Sequence, residues 1–487
     1  MSPTQTASRK PRSTPSAAAI FDLDRTLLAG ASGSVFSEAM REVGLLSARS
    51  NPAEGALFGL FNLIGENWPT MMVTRQAARV AKGWEIESVR RAATIAAEVL
   101  ARRVLPYAAA KLDEHREAGL SLILATTTPY DLVKPFAEAL GFDHVVATRY
   151  GRDGDVYDGT IDGEFVWNKG KARAVRERCG ELGLDLAESH AYSDSYYDIP
   201  LLSMVGHPHA VNPDPRLAVN AAVRRWPVLW FDVPPGVPKL IGLEPQTALF
   251  KILRPELFPY ARFRFYGMKH LPETGPAIIV ANHRSYFDPV AIGLVLAKAG
   301  RPGRFLGKKE VFDAPVVGDV ARAMGGIRVD RGTGSDVPIQ AAEDALSAGE
   351  LVAIMPQGTI PRGEAFFDPV LQGRWGAMKL AHAAGVPIIP IGIWGTEKVW
   401  PRSSRDPNVT NLLDPPTVTI RVGRPVEVTG TDVAGDTEAM MEAIVRLLPP
   451  EARHRHDPTP EELALTLPAG GARTEGTDEA SRRPGSD

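Results

Sequence analysis

Twice along this chain, short apolar runs stop at a polar or acidic residue and give way to a helical pattern. That alternation limits the fold more than any other feature of the sequence. In the first half the runs are AAAIFDL, LSLILAT, SHAYSD and HAVN, separated by patterns such as YDLVKPFAEALG and KARAVRERCGELG. In the second half the strand candidates are PAIIVANH, GRFLGKKE, GIRVDR, LVAIMPQGT, VPIIPIGIWG and TVTIRVG. Strands alternating with helices predict a parallel sheet covered by helices, so the expected class is α/β in both halves.

A length of 487 residues leaves room for more than one core. The stretch WPVLWFDVPPGVPKLIGLEP gathers Pro and Gly around 227–245 and reads as the boundary between two domains, 18–235 and 236–455. Residues 1–17 and 456–487 are rich in Pro, Gly, Ser, Thr and charge and read as disordered ends. From about 30 to 105 the first alternation is interrupted by helical periodicity, as in VRRAATIAAEVLARRV, with Trp68 and Trp84 alongside. This segment reads as an inserted helical cap. Within it ALFGLFNLIGENW either lines an apolar pocket or packs cap helices.

The formal charge of −3 gives the whole chain no field toward nucleic acid, and none is expected as a partner. Cys179 is the single cysteine, which excludes an intrachain disulfide and a cysteine metal site and fits a reducing compartment. The residues ahead of Asp22 lack the apolar core of a secretory signal. No charge-free apolar run reaches the roughly 18 residues needed to span a bilayer.

In the first half, Asp22 and Asp24 stand two apart at the end of the AAAIFDL run, with Thr26 next in step. Two carboxylates in such a place can divide a phosphoryl transfer: one attacks phosphorus, the other protonates the leaving oxygen and later activates water. Thr126 ends the LILAT run, where a hydroxyl and nearby N–H groups suit phosphate oxygens. Lys171 opens a helix and would supply fixed positive charge. Asp194 and Asp198, in YSDSYYDIPLL, would complete an oxygen-ligand Mg²⁺ site with Asp22. Singly, these are ordinary turn hydroxyls, solvated charges and helix caps. Their joint order on successive strand ends points to a site, because ligands in such sheets gather at the carboxyl ends of the strands.

The motifs FDLDRTLL, LATTTP, GKARAVRE and YSDSYYDIPLL resemble the haloacid dehalogenase superfamily, in its phosphoserine-phosphatase-like branch. The resemblance implies a Rossmann-like parallel-sheet domain and a Mg²⁺-dependent phosphomonoesterase. It makes Asp22 the phosphorylated nucleophile, Asp24 the acid/base, Thr126 and Lys171 the phosphate holders, and Asp22, Asp24 and Asp194 the metal set, supported by Asp198. Lys169 competes for the lysine role, but the spacing from GKAR to YSDS favours Lys171. Dehalogenases of this superfamily lack an acid at the position of Asp24, so phosphatase is the expected activity.

In the second half, PAIIVAN delivers His283 to a strand-to-helix turn with Asp288 five residues on. The carboxylate can reach back to fix the ring tautomer, leaving the other nitrogen to take a hydroxyl proton. No Ser or Cys nucleophile is needed if an alcohol attacks a thioester directly. Lys308 and Lys309, Arg331, and the turn Gln357, Gly358 and Thr359, with Arg362 close behind, are candidates to stabilise an oxyanion and clamp the acceptor. NHRSYFD, FLGKKEVFDAPVVGDVARAMGGIRVDR, PQGT and VPIIPIGIWG resemble the glycerol and phospholipid acyltransferase family, especially the 1-acylglycerol-3-phosphate O-acyltransferases. That resemblance implies acyl-CoA as donor, a lysophospholipid acceptor, His283 as general base, Asp288 as its orienter, and Lys308 and Arg331 on the acceptor's phosphate. One departure stands out: the family's Pro-Glu-Gly-Thr-Arg block has Gln357 and Ile360 in place of Glu and Arg.

Lipid substrates imply a membrane surface. The stretch ALFKILRPELFPYARFRFYGMKHL interleaves six aromatics with cations, which suits an interfacial helix pair as well as it suits a domain-entry helix. The expected location is cytoplasmic, peripheral on the inner face of the cell membrane. The alternative is an acyltransferase for another lyso-lipid or alcohol, with a first domain that binds phosphate without turning it over. The pairs His207/His209 and His454/His456 are not read as metal sites.

Overall fold

The computed structural model describes residues 15–46, 75–239, 242–330, 337–426, 428–429 and 431–468. The chain divides into two compact units, Met1–Pro235 and Gly236–Asp487.

The first unit is built on strands β1 (Ala18–Phe21), β2 (Ser121–Pro129), β3 (His144–Asp153), β4 (Val156–Asp162), β5 (His190–Ser193), β6 (His207–Val211) and β7 (Val228–Leu229). They form one sheet in the order β4-β3-β2-β1-β5-β6-β7. Every pairing is parallel except the β3–β4 hairpin. Strand side chains alternate between faces, so Ala19 and Phe21 enter one core and Ala18 and Ile20 the other. Both faces are therefore apolar, which is why β1 reads as an unbroken hydrophobic run. The helix Lys169–Leu182 covers the second face with Ala172, Val175 and Cys179.

The described part of the cap includes the helices Gly33–Glu42 and Ile86–Ala101. The latter buries Ala92, Ala93, Ala96 and Ala97, a stripe at the spacing of one helical face. Trp68 and the ALFGLFNLIGENW segment lie outside the described residues.

The second unit contains β8 (Arg262–Tyr266), β9 (Ala277–Ala281), β10 (Gly303–Lys308), β11 (Ile327–Val329), β12 (Leu351–Ile354), β13 (Ile388–Trp394) and β14 (Thr417–Val422). Their order is β11-β10-β12-β9-β13-β14-β8, with only β13–β14 antiparallel. In β9, Ala277, Ile279 and Ala281 face one core while Ile278 and Val280 face the other. Arg304 of β10 is buried and held by Glu244 and Glu350, so its charge is compensated on both sides.

Two expectations are corrected here. The aromatic and basic stretch is not an interfacial helix pair: after the helix Pro245–Phe250 and a 3-10 turn it becomes the edge strand β8, paired with β14. The RFRFY alternation has period two, so Phe263 and Phe265 pack on the core while Arg262, Arg264 and Tyr266 face out. Phe250, Phe258 and Tyr260 also pack on that core. At the other end, part of the segment read as a disordered tail forms the helix Pro460–Leu465, started by a capping box between Thr459 and Glu462. Among the described residues, no helix is long and apolar enough to cross a membrane.

Candidate functional site

Asp22 directly follows β1, and its backbone N–H donates to the Tyr192 carbonyl at 3.0 Å, extending the pairing with β5 by one residue. Its carboxylate is buried. Lys171 donates from Nζ to Asp22 Oδ1 and to Asp198 Oδ2, both at 2.6 Å. Asp198 Oδ2 also accepts from the Ser193 hydroxyl at 2.7 Å, whereas its buried Oδ1 has no hydrogen-bond partner. Lys171 reaches this point because its helix starts tightly. A Cβ at Gly170 would lie 2.3 Å from the Phe165 carbonyl oxygen, so only glycine fits there. Lys169, the competing lysine, is exposed.

Burial pushes the Asp22 carboxyl up to about 6 against the opposing pull of Lys171, with Asp198 and Asp24 adding to the rise. Burial also raises Asp24, partly offset by the Ser32 backbone N–H, which donates to Asp24 Oδ1 at 2.6 Å. Asp194 is buried; its backbone N–H donates to the Thr26 hydroxyl at 3.0 Å, and its Oδ2 lies 3.0 Å from Arg25 Nε. Thr126 is buried at the end of the regular part of β2, where it accepts from the Thr128 N–H at 3.2 Å.

The structure thus links Asp22, Lys171 and Asp198 directly, but not the full expected metal set. The Asp24 carboxylate is engaged by Ser32, and no group of three His, Cys, Asp or Glu side chains suited to a metal forms among the described residues. Asp22 and Asp194, with hard carboxylate oxygens and an unpartnered Asp198 Oδ1 nearby in the network, still suit a divalent cation in donor chemistry. Sequence reasoning missed Ser193, Ser32 and Arg25. Thr26 was visible only as a residue in step with the two aspartates.

In the second unit, β9 is followed by Asn282, whose side-chain amide exchanges two 2.8 Å hydrogen bonds with the backbone of Ile393 and ties the strand end to β13. His283 follows. Its Nδ1 lies 2.8 Å from Asp288 Oδ2, and its backbone N–H donates to Gln357 Oε1 at 2.7 Å. Asp288 is fully buried at the start of the helix Asp288–Ala299. The same Oδ2 accepts from the N–H groups of Arg284 and Ser285, at 2.6 and 2.8 Å, and Oδ1 accepts from Thr396 Oγ1 at 2.6 Å. A carboxylate with this many donors is held in one orientation, and it leaves His283 Nε2 as the nitrogen open to proton transfer.

Arg284 is sandwiched between the rings of Phe366 and Trp394, at 4.0 and 4.2 Å from their centroids. Ser285 Oγ donates to the Trp400 carbonyl at 2.6 Å. Gln357, Gly358 and Thr359 follow β12, where Gly358 adopts φ 70 and returns an N–H to Met355 O. Ile360 is buried, and its carbonyl accepts from Arg402. Lys308 ends β10, and Arg331 lies outside the described residues. The bonds made by Gln357, Thr396 and Ser285 were not read from the sequence.

The fold and these two sites define a class: two joined α/β domains, the first with a buried aspartate–lysine network and the second with a His–Asp pair at a strand-to-helix turn. A family model described as haloacid dehalogenase-like hydrolase matches residues 19–203, and one described as acyltransferase matches residues 262–394. The chain belongs to the haloacid dehalogenase-like hydrolases and carries an acyltransferase domain fused behind the hydrolase domain.

It is similar to the "inhibition of morphological differentiation protein" of Streptomyces azureus, 36% identical over 250 residues, which are 49% of this chain and 88% of that one. It is also similar to a phosphoserine phosphatase of Mycobacterium tuberculosis, 32% identical over 245 residues, 48% of this chain and 79% of that one. Among solved structures, the 1-acyl-sn-glycerophosphate acyltransferase of Thermotoga maritima is 22% identical, covering 41% of this chain and 78% of that chain with a TM-score of 0.32.

Proposed function

We propose that the chain is a bifunctional enzyme of phospholipid synthesis. The first unit hydrolyses a phosphomonoester through an aspartyl-phosphate on Asp22. The second transfers an acyl chain from acyl-CoA to 1-acylglycerol-3-phosphate. One contact in each unit carries the reading: Lys171 on the buried Asp22, and Asp288 on His283.

In the first unit, Lys171 holds Asp22 Oδ1 so that Oδ2 is the attacking oxygen. Asp24, with its carboxyl raised by burial, protonates the leaving alcohol and then accepts a proton from the water that cleaves the aspartyl-phosphate. Thr126 and Lys171 bind phosphoryl oxygens. Mg²⁺, which hydrolases of this family generally use, would be held by Asp22 and Asp194 with Asp198 in support, and would supply positive charge to neutralise the phosphoryl group.

In the second unit, His283 Nε2 takes the proton of the acceptor hydroxyl as its oxygen attacks the thioester, and Asp288 stabilises the resulting imidazolium. CoA leaves as the thiol. Gln357, Gly358 and Thr359 form the turn beside His283, and Lys308 and Arg331 bind the acceptor phosphate. Because the substrates carry acyl chains, the enzyme works at a membrane surface from the cytoplasmic side.

A second reading is supported by the burial of Ile360: with no guanidinium at that position, the acceptor is a lyso-lipid or alcohol lacking the phosphate. CoA release from a long-chain acyl-CoA tests both, with lysophosphatidate and phosphate-free lyso-lipids as acceptors and wild type compared with His283→Ala. Release that needs His283 and lysophosphatidate supports the first reading, and release only with the other acceptors supports the second. For the phosphatase, Mg²⁺-dependent phosphate release from phosphoserine, lysophosphatidate and phosphatidate is compared with Asp22→Asn. No wild-type release across that panel would favour a first unit that binds phosphate without hydrolysing it.

A further inference from the structure

The first unit contains a continuous row of rings that starts beside Asp22 and leads away from it along the sheet. Phe21 stacks on Tyr192 at 4.5 Å, Tyr192 on His209 at 4.5 Å, His209 on His190 at 5.4 Å and His190 on His207 at 4.5 Å, with interplanar angles of 8°, 5°, 2° and 19°. Strand register produces the row: β5 and β6 pair His190 with His207 and Tyr192 with His209, so all four rings share one face of the sheet.

The outer end of this row borders a cavity of about 420 Å³, lined in part by Ser203, His207, His209, Arg224, Arg225 and Trp226. No carboxylate lines it. Neither arginine takes part in an ion pair among the described residues; Arg224 donates to the Ser203 hydroxyl at 3.2 Å and lies 5.0 Å from the centre of the Trp226 ring. His209 Nδ1 is buried and has no hydrogen-bond partner.

Cations are common at helix C-termini, where they offset the dipole, and Arg224 ends the helix Pro215–Arg224. Here that end is already closed by the backbone: the N–H groups of Arg225 and Trp226 donate to the carbonyls of Ala222 and Ala221. The two guanidinium groups are therefore not needed to cap it. With two guanidinium groups in its lining, the cavity offers donors and positive charge, and no side-chain anion to satisfy them.

We propose that this cavity is a binding site for a small phosphate-bearing anion, separate from the candidate catalytic site. Guanidinium groups match phosphate oxygens in geometry and charge, and the His207 ring in the lining adds a polar group beside them. The strands β1, β5 and β6 run parallel, and the cavity lies at the start of β6 whereas Asp22 follows the end of β1. A phosphate held here is thus not the one attacked by Asp22. The volume exceeds the needs of a bare ion, leaving room beside Trp226 for an organic group.

The test uses the full chain and follows the imidazole C–H resonances of His207 and His209 by NMR during titration with inorganic phosphate and, separately, with glycerol 3-phosphate. The expected result is a saturable shift that persists in Asp22→Asn and weakens at least ~tenfold in affinity in the Arg224→Gln/Arg225→Gln variant. Both arginines are exposed, and an unchanged melting temperature for that variant shows that the fold is retained. Shifts with both probes identify the free ion as sufficient, and shifts with glycerol 3-phosphate alone identify a phosphate ester as the ligand; either supports the proposal. No saturable shift with either probe overturns it, as does an equal shift in the arginine variant or loss of the shift in Asp22→Asn.

Discussion

Lys171 Nζ and Asp22 Oδ1 meet at 2.6 Å inside the first unit, the lysine side chain 1% and the aspartate side chain 7% exposed. A buried pair of this kind is held together against a large desolvation cost, and removing one partner strands the other.

The first prediction follows from that pair. Asp22 must be ionised to attack phosphorus, and burial raises its carboxyl to about 6 in the metal-free protein, so hydrolysis falls on the acid side of the profile, at a pH that bound Mg²⁺ would lower. Lys171 opposes the rise caused by burial, so Lys171→Met leaves burial, Asp198 and Asp24 acting alone. The acid limb of the kcat/KM profile then moves to higher pH, and the plateau rate falls by about 10²–10³-fold through loss of charge stabilisation. Profiles of phosphate release between pH 4.5 and 8.5 (roughly the range over which carboxylate and imidazole groups titrate) check both; an unmoved limb would count against Asp22 as the titrating nucleophile.

Asp288→Asn is expected to abolish more than an orientation. The amide that replaces Oδ2 or Oδ1 cannot accept from the groups now bonded there, namely Arg284 N, Ser285 N and Thr396 Oγ1. Acyl transfer should fall by roughly 10³–10⁴-fold, and the second unit should lose about 3 kcal/mol of stability because buried donors are left unmatched. Thr396→Val separates the two effects: it removes one donor to Oδ1, costs about 1 kcal/mol in urea unfolding, and leaves the His283–Asp288 bond in place.

These two sites were legible to different depths. The strands that carry Asp22, Thr126, Asp194 and His283 could be read because each is an apolar run stopped by a polar residue, and a doubly covered parallel strand has no other appearance. The β3–β4 hairpin went unread because its sequence, HVVATRYGRDGDVYDGTID, mixes polar residues into both strands. In β8 a local pattern was outvoted by composition: aromatics beside cations suggested an interface, whereas alternation of RFRFY was the signal that decided the structure. Contacts such as Thr26 with Asp194 and Gln357 with His283 join residues 168 and 74 positions apart, and no local periodicity encodes them.

His209 of the ring row, and His115 packed beside His190 and Tyr192, make the stability of the first unit depend on pH. Burial pushes His115 down to about 4 and His209 down to about 3, from an ordinary value of 6.5, with neighbouring His190 adding to both. The unfolded chain therefore binds protons at these positions from pH 6.5 downward while the folded chain does not. Stability is fully present above pH 6.5 and is lost progressively as pH falls toward 4 and 3. Scanning calorimetry at pH 7.5 and 5, values either side of the ordinary histidine range, should show a lower melting temperature at the acid end. His115→Gln retains a hydrogen-bonding group for the Tyr192 hydroxyl and removes one titrating ring, so it should reduce that difference.

Gln357 offers the sharpest test of the second site, because its side chain bonds the backbone of His283 and does not touch the ring nitrogen that Asp288 orients. Its Oε1 is an acceptor, and a glutamate carboxylate accepts equally well. Gln357→Glu is therefore expected to keep kcat for acyl transfer within about threefold, a difference below 1 kcal/mol. Gln357→Leu removes the acceptor and leaves the His283 N–H unmatched, at a cost of about 1–3 kcal/mol. If that bond positions the base, kcat should fall by ~10–100-fold in Gln357→Leu, with KM for the acyl-CoA little changed. Equal kcat in the two variants would show that the turn holds His283 without Gln357, and a rise in KM alone would move Gln357 from positioning the base to binding the acceptor.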